Sequence, residues 1–277
     1  MAILDLNDDG DFDFIIGTKE GRLEFFDTWD TYDEKYTDQT FYYVNSYSAY
    51  TNAWLYPTFA YLYTTPESGK PPDLIIGAID PTTIPSNIGE ESANAWIDIW
   101  RFDDSLGNYT HYCSLSSIEP FKLSNYILEM STTVPGTAFA DMDGDGDLDL
   151  TLVNGRVYYF ENVGSTTQPK FFARLDYYKD INDKASGVSY RNPQLVDFDK
   201  DGDYDLILSY EGKNGATYFV NVGTKDKPKW VEKSNFFSNP SPDGNFAYNN
   251  LTDPVFVEPV DYLLEPTYLA TGTKYLM

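Results

Sequence analysis

Apolar residues along this chain fall in short runs broken by turn residues, and the runs come in matching sets. "TFAYLY", "DLIIGAI", "AWIDIWRF" and "YTHYCSL" form one set; "TAFADM", "DLTLVNG", "VYYFENV" and "KFFARLDYY" form another; "QLVDFD", "DLILSYE", "ATYFVNV" and "KWVEKSNFF" form a third. Ahead of them stand "AILDL", "DFIIGT", "RLEFFDTW" and an aromatic stretch near "TFYYVN". Each run has strand length, is rich in β-branched and aromatic side chains, and is bounded by Gly, Asn, Asp or Pro, so each predicts a strand. "NVGSTTQPKFF" and "NVGTKDKPKWV" use Gly and Pro to turn the third strand into the fourth. Only "EPFKLSNYILEM" leaves room for a short helix, between two sets.

The sets recur about every 60 residues, and a period of that size means a repeat architecture. The repeats run approximately 1–54, 55–134, 135–191 and 192–250, with the opening half of a fifth at 251–277 around "VFVEPVDYLLEPTYLATGT". The fold class is therefore all-β, a single segment of repeated four-stranded antiparallel units.

Between the first two strands of three repeats lies an acidic loop: "DLNDDGDFD" (5–13), "DMDGDGDLD" (141–149) and "DFDKDGDYD" (197–205). Like charges this close repel by about 1 kcal/mol per pair even in water, so an ordered loop needs a counter-charge. Oxygen ligands at positions 1, 3, 5 and 9, glycine at 6 for the sharp turn and a carbonyl at 7 suit a hard divalent ion, and calcium is the natural one. The ligand sets are Asp5, Asn7, Asp9 and Asp13; Asp141, Asp143, Asp145 and Asp149; and Asp197, Asp199, Asp201 and Asp205, with carbonyls from Asp11, Asp147 and Asp203. An EF-hand would need a glutamate at position 12 and flanking helices, whereas these loops carry Ile16, Leu152 and Leu208 there and lead into strands.

An apolar strand, a D-x-[DN]-x-D-G-x-x-D loop, a second apolar strand and an aromatic strand ending in "ENVG" or "VNVG" together resemble the FG-GAP/VCBS repeat family, which includes the propeller repeats of integrin α-subunits. The resemblance implies a β-propeller of about four and a half blades in this chain, with three calcium sites. Two repeats are degenerate. In the second, Tyr61 and Tyr63 hold the first two ligand places and Asp73 alone remains; in the fifth, Glu258 keeps the first place.

Aromatic residues make up 17 % of the chain, as half-buried strands require, and the net charge is −25. Three calcium ions would leave the surface strongly acidic, so nucleic acid and anionic membrane are disfavoured partners, and no apolar run reaches spanning length. The chain opens inside a first strand without a signal segment and closes two strands into a repeat, so it reads as a fragment whose open edges a neighbour or further sequence would cover, with clasping of its two ends to each other as the competing solution. Lone Cys113 excludes an internal disulfide, and "NYT" at Asn108 and "NLT" at Asn250 are candidate glycosylation sites in connections.

Enzymatic signals are few. His111 and Cys113 stand two apart on one strand, where alternation puts both on one face, but no orienting third group or oxyanion motif accompanies them. Antiparallel topology places the acidic loops opposite the long connections "DPTTIPSNIGEESAN" (80–94) and "SNPSPDGNFAYNN" (238–250), where recognition would sit. The reading is a calcium-stabilised, non-enzymatic propeller for protein–protein adhesion or assembly at an extracellular surface. Its alternatives are a glycan-binding, lectin-like propeller, a scaffold of a larger enzyme, and for location a cytosolic scaffold.

Overall fold

A computed structural model describes residues 2–4, 13–18, 21–30, 35–38, 53–79, 95–115, 134–184, 190–210 and 216–233 of the chain. Its strands are β1 (Ala2–Leu4), β2 (Asp13–Gly17), β3 (Leu23–Asp30), β4 (Lys35–Asp38), β5 (Trp54–Ala60), β6 (Asp73–Ile79), β7 (Ala95–Asp103), β8 (Asn108–Ser114), β9 (Gly136–Ala140), β10 (Asp149–Asn154), β11 (Arg156–Asn162), β12 (Phe171–Ala173), β13 (Tyr190–Val196), β14 (Asp205–Tyr210), β15 (Ala216–Asn221) and β16 (Trp230–Lys233). They form four antiparallel sheets, each a meander of four consecutive strands, arranged as four blades of a β-propeller. The first strand of each blade lies against the first of the next: β5 on β1, β9 on β5, β13 on β9.

This arrangement explains why the second strands lack polar alternation. In blades two and three a middle strand has a neighbouring blade on each face, so both of its faces are apolar. On β6, Ile75 joins Ile97, Ile99, Leu150, Leu152 and Phe160 in the core between blades two and three. Leu74 and Ile76 point the other way and join Ile15, Leu55 and Trp100 between blades one and two. All of these are at most 7 % exposed, and fully burying each aliphatic side chain is worth about 1.5–3 kcal/mol. Gly77 on β6 is glycine for space: a Cβ there would lie 1.9 Å from the carbonyl oxygen of Pro135, where the chain enters the next blade.

The join between blades three and four has a different construction. "KFFARLDYY" predicts one long strand, but β12 stops at Ala173 and the chain instead makes a helical turn at Lys179–Asn182. The reason is a wedge. Tyr178 and Ile181 are buried in the core between the two blades, alongside Tyr159, Phe219 and Trp230. The Tyr178 hydroxyl lies 2.6 Å from Thr151 Oγ1, Asn182 exchanges two hydrogen bonds with the Val157 backbone, and the Trp230 indole donates to Tyr177 O at 3.0 Å. Gly155 and Tyr190 exchange backbone hydrogen bonds across the same join.

In the first blade the fourth described strand is "KYTD" at Lys35–Asp38, paired with the end of β3, while the aromatic stretch near "TFYYVN" lies outside the described residues. Segments 40–45, 80–94, 119–130 and 238–250 and the half repeat at 251–277 lie outside the described residues, as do Asn250 and Glu258.

Candidate metal sites

Two of the three acidic motifs are folded as turns at residues 141–148, between β9 and β10, and 197–204, between β13 and β14. In the first, Asp141 accepts from Gly144 N at 2.7 Å and from Gly146 N at 3.1 Å, Asp143 accepts from Asp145 N, and Asp145 accepts from Asp147 N. The second repeats the pattern: Asp197 accepts from Asp201 N and Gly202 N, each at 3.1 Å, and Asp201 accepts from Asp203 N. These side chain to backbone bonds curl each loop around its own carboxylates. Position 6 needs glycine because φ is +97° at Gly146 and +93° at Gly202.

As a result, carboxylate oxygens of Asp141, Asp143 and Asp145 lie within 4.8 Å of one another, and so do those of Asp197, Asp199 and Asp201. Burial and then the neighbouring carboxylates, Asp145 first, push the Asp147 carboxyl up to about 6. Its Oδ1 is buried without a hydrogen-bond partner. Burial also raises Asp143 and Asp203. Convergent anionic oxygens and a buried acceptor awaiting a partner fit a hard cation of the calcium kind. The residues that would hold it are Asp141, Asp143 and Asp145 in one loop and Asp197, Asp199 and Asp201 in the other. Asp5, Asn7, Asp9 and Asp11 of the first motif lie outside the described residues, while buried Asp13 opens β2 as Asp149 opens β10.

The ninth position, expected as a ligand, is not among these three-carboxylate groups and has hydrogen bonds of its own. Asp149 is fully buried; its Oδ2 accepts from Met142 N at 3.0 Å and from the Tyr159 hydroxyl at 2.8 Å, and its Oδ1 accepts from Asn162 N at 2.7 Å. Asp205 does the same with Phe198 N, the Tyr218 hydroxyl and Asn221 N. Asn162 and Asn221 then accept from Gly164 N and Lys170 N, and from Gly223 N and Lys229 N, fixing the turn into the fourth strand. Sequence reasoning missed this pair of networks, although the shared Tyr and Asn three residues apart in "YFEN" and "YFVN" are its signal.

Blade two keeps the ninth-position device without the cluster. Asp73 Oδ2 accepts from the backbone N–H of Leu62, Tyr63 and Thr64, and Oδ1 accepts from the Thr64 hydroxyl at 2.7 Å. Strand register puts Arg101 opposite Asp73, at the place Glu161 holds in blade three. The Arg101 guanidinium lies 3.5 Å from Asp73 Oδ1, donates to Tyr63 O and stacks over the Tyr112 ring. A cation of the chain thus serves where the other loops gather carboxylates. Arg101→Gln is expected to cost roughly 1–3 kcal/mol by leaving the buried Asp73 charge uncompensated, equally with calcium and with chelator, as read by urea unfolding. A loss seen only in calcium would contradict this assignment.

His111 and Cys113 do not share a face, contrary to the alternation expected of a regular strand. A bulge at Tyr112 pairs Cys113 with Ile99 but His111 with Trp100, so the two side chains go to opposite sides of the blade. Cys113 packs into the core between blades two and three, and burial raises its thiol pKa. His111 meets the Trp100 ring edge and lies 3.5 Å from buried Asp98. Asn108 is the first residue of β8, not part of a connection.

Among the described residues no helix is long and apolar enough to cross a membrane. The chain matches no family model and no curated protein sequence. Among solved structures, it is similar to a lectin from Agrocybe aegerita described as specifically recognising non-reducing terminal N-acetylglucosamine, with a TM-score of 0.39 and 13 % identity over 83 % of this chain. It spans 64 % of the length of that lectin chain.

Proposed function

We propose that this chain is a calcium-stabilised, non-enzymatic propeller module of the FG-GAP/VCBS kind, serving protein–protein adhesion or assembly at an extracellular surface. The observation that carries the reading is the pair of three-carboxylate clusters, each within 4.8 Å, at the same turn of two successive blades. Bound calcium would supply charge neutralisation and a cross-link within the loop. The chain's own residues do the rest: Asp149 and Asp205 hold the loop ends to the sheet, and the Asx turns aim the ligands. The first motif has the same spacing and is counted as a third site. Calcium sites of this loop type suit the millimolar calcium outside cells.

Calorimetric titration should find three calcium ions per chain. Asp141→Ala and Asp197→Ala should each lose one, whereas Tyr61→Phe, in the blade with Arg101, should keep all three. A parent chain that takes up no calcium would remove the reading. A glycan array with single-sugar competition distinguishes an assembly module from a sugar-binding one, since specific, competable glycan capture would favour the latter.

A further inference from the structure

Lys225 belongs to the turn between β15 and β16 in blade four, yet its side chain reaches blade three. A Cβ built on Gly144, in the middle of the blade-three acidic loop, would lie 3.1 Å from Lys225 Nζ and 3.2 Å from its Cδ. The ammonium therefore lies over the turn between Asp143 and Asp145. The backbone of the same residue is tied to both blades. Its N–H faces the Asp203 carboxyl in the blade-four loop, where the Lys225 charge opposes the rise that burial gives that carboxyl, and its carbonyl accepts from the Tyr177 hydroxyl at 3.3 Å. Tyr177 in turn stacks on Tyr159, ring centroids 3.9 Å apart, and Tyr159 holds Asp149 at the root of the blade-three loop. One lysine thus stands beside both candidate calcium loops, with its ammonium over the blade-three turn and its charge also acting on Asp203 of the blade-four loop.

We infer that Lys225 is a tethered counter-ion that competes with calcium for the blade-three loop and couples the occupancy of the two sites. The inference rests on the calcium reading above. Before calcium arrives, the ammonium offsets part of the charge of Asp141, Asp143 and Asp145. A divalent ion in that loop repels it, and its place in the turn between β15 and β16 keeps it beside the blade-four loop, where its charge opposes a second ion. The two sites are therefore expected to bind with negative coupling, filling in two separated steps.

The test is calorimetric titration of calcium into the full chain and into Lys225→Met, which keeps the aliphatic stem and the backbone N–H to Asp203. The expected result is blade-three affinity about three- to tenfold tighter in Lys225→Met, as removal of one charge several ångströms away predicts, and a narrower gap between the two binding steps. Asp141→Ala and Asp199→Ala, which remove the blade-three and blade-four sites respectively, identify each step by its loss in both backgrounds. Lys225→Arg should restore the parent isotherm. Thermal unfolding gives an independent readout: Lys225→Met should lower the midpoint in chelator yet enlarge the rise produced by calcium, whereas a merely structural role would lower both states alike. Parent-like isotherms for Lys225→Met would overturn the inference while leaving calcium binding intact. Absence of calcium binding by the parent would overturn both.

Discussion

Saturating calcium is expected to raise the free energy of unfolding by about 2.7 kcal/mol for each occupied site when free ion stands at a hundredfold excess over Kd. Over three sites that is about 8 kcal/mol, comparable with the whole stability of an ordinary domain. Thermal unfolding in calcium and in chelator should therefore give well-separated midpoints, and coincident midpoints would end the metal assignment. The pH dependence has an unusual sign. Burial pushes the Asp149 carboxyl up to about 7 and, with its charged neighbours, Asp147 up to about 6. A carboxyl whose folded pKa exceeds its unfolded value keeps its proton longer in the folded state. The stability it contributes is complete below about 4 and is lost as pH rises through about 6 to 7. In chelator the protein should thus be more stable near pH 5 than near pH 7.5, and the increment from calcium should be larger at the higher pH. Glu161, whose pKa is lowered by its hydrogen bonds with Arg174, acts in the opposite sense only at lower pH, outside this window.

Asp149→Ala is expected to cost about 3–5 kcal/mol even in chelator, because it strips the acceptor from Met142 N, Asn162 N and the Tyr159 hydroxyl in a fully buried place. Asp205→Ala should behave alike. Asp145→Ala, whose side chain is exposed, should leave stability in chelator nearly unchanged and remove most of the increment from calcium at its loop. Urea unfolding of the variants in both conditions checks the division. Equal losses for Asp149→Ala and Asp145→Ala in chelator would show that the ninth position and the ligand positions are not separate.

Much of the fold was legible because each blade repeats one pattern with strong punctuation. "DLTLVNG" and "DLILSYE" read as strands on apolar content alone, and β10 and β14 lie there. The helical turn at Lys179–Asn182 was not legible. "RLDYYKDIN" has too few residues to show a helical period, and its conformation is set by Tyr178 and Ile181 filling a gap between blades, a tertiary effect. The same limit hid the bulge at Tyr112, since alternation counts residues and cannot see one skipped in pairing. For the site, the convergence of the first, third and fifth loop carboxylates was legible from charge spacing. The hydrogen bonds of the ninth were not, because an aspartate that accepts backbone N–H groups is written with the same letter as one that does not.

The ninth-position aspartate has a consequence for how such blades change. In blades two, three and four it accepts the N–H of the residue two places into the loop, Leu62, Met142 or Phe198, although the loop of blade two is longer than the others and carries no cluster. The entry and exit of the turn are fastened to each other whatever lies between them. Each blade is in this respect a chassis with an exchangeable cassette, in which ligands can be lost, residues inserted and an arginine recruited without redrawing the sheet. On the calcium reading proposed above, dependence on an external ion could then be given up one blade at a time along a mutational route in which every step remains folded.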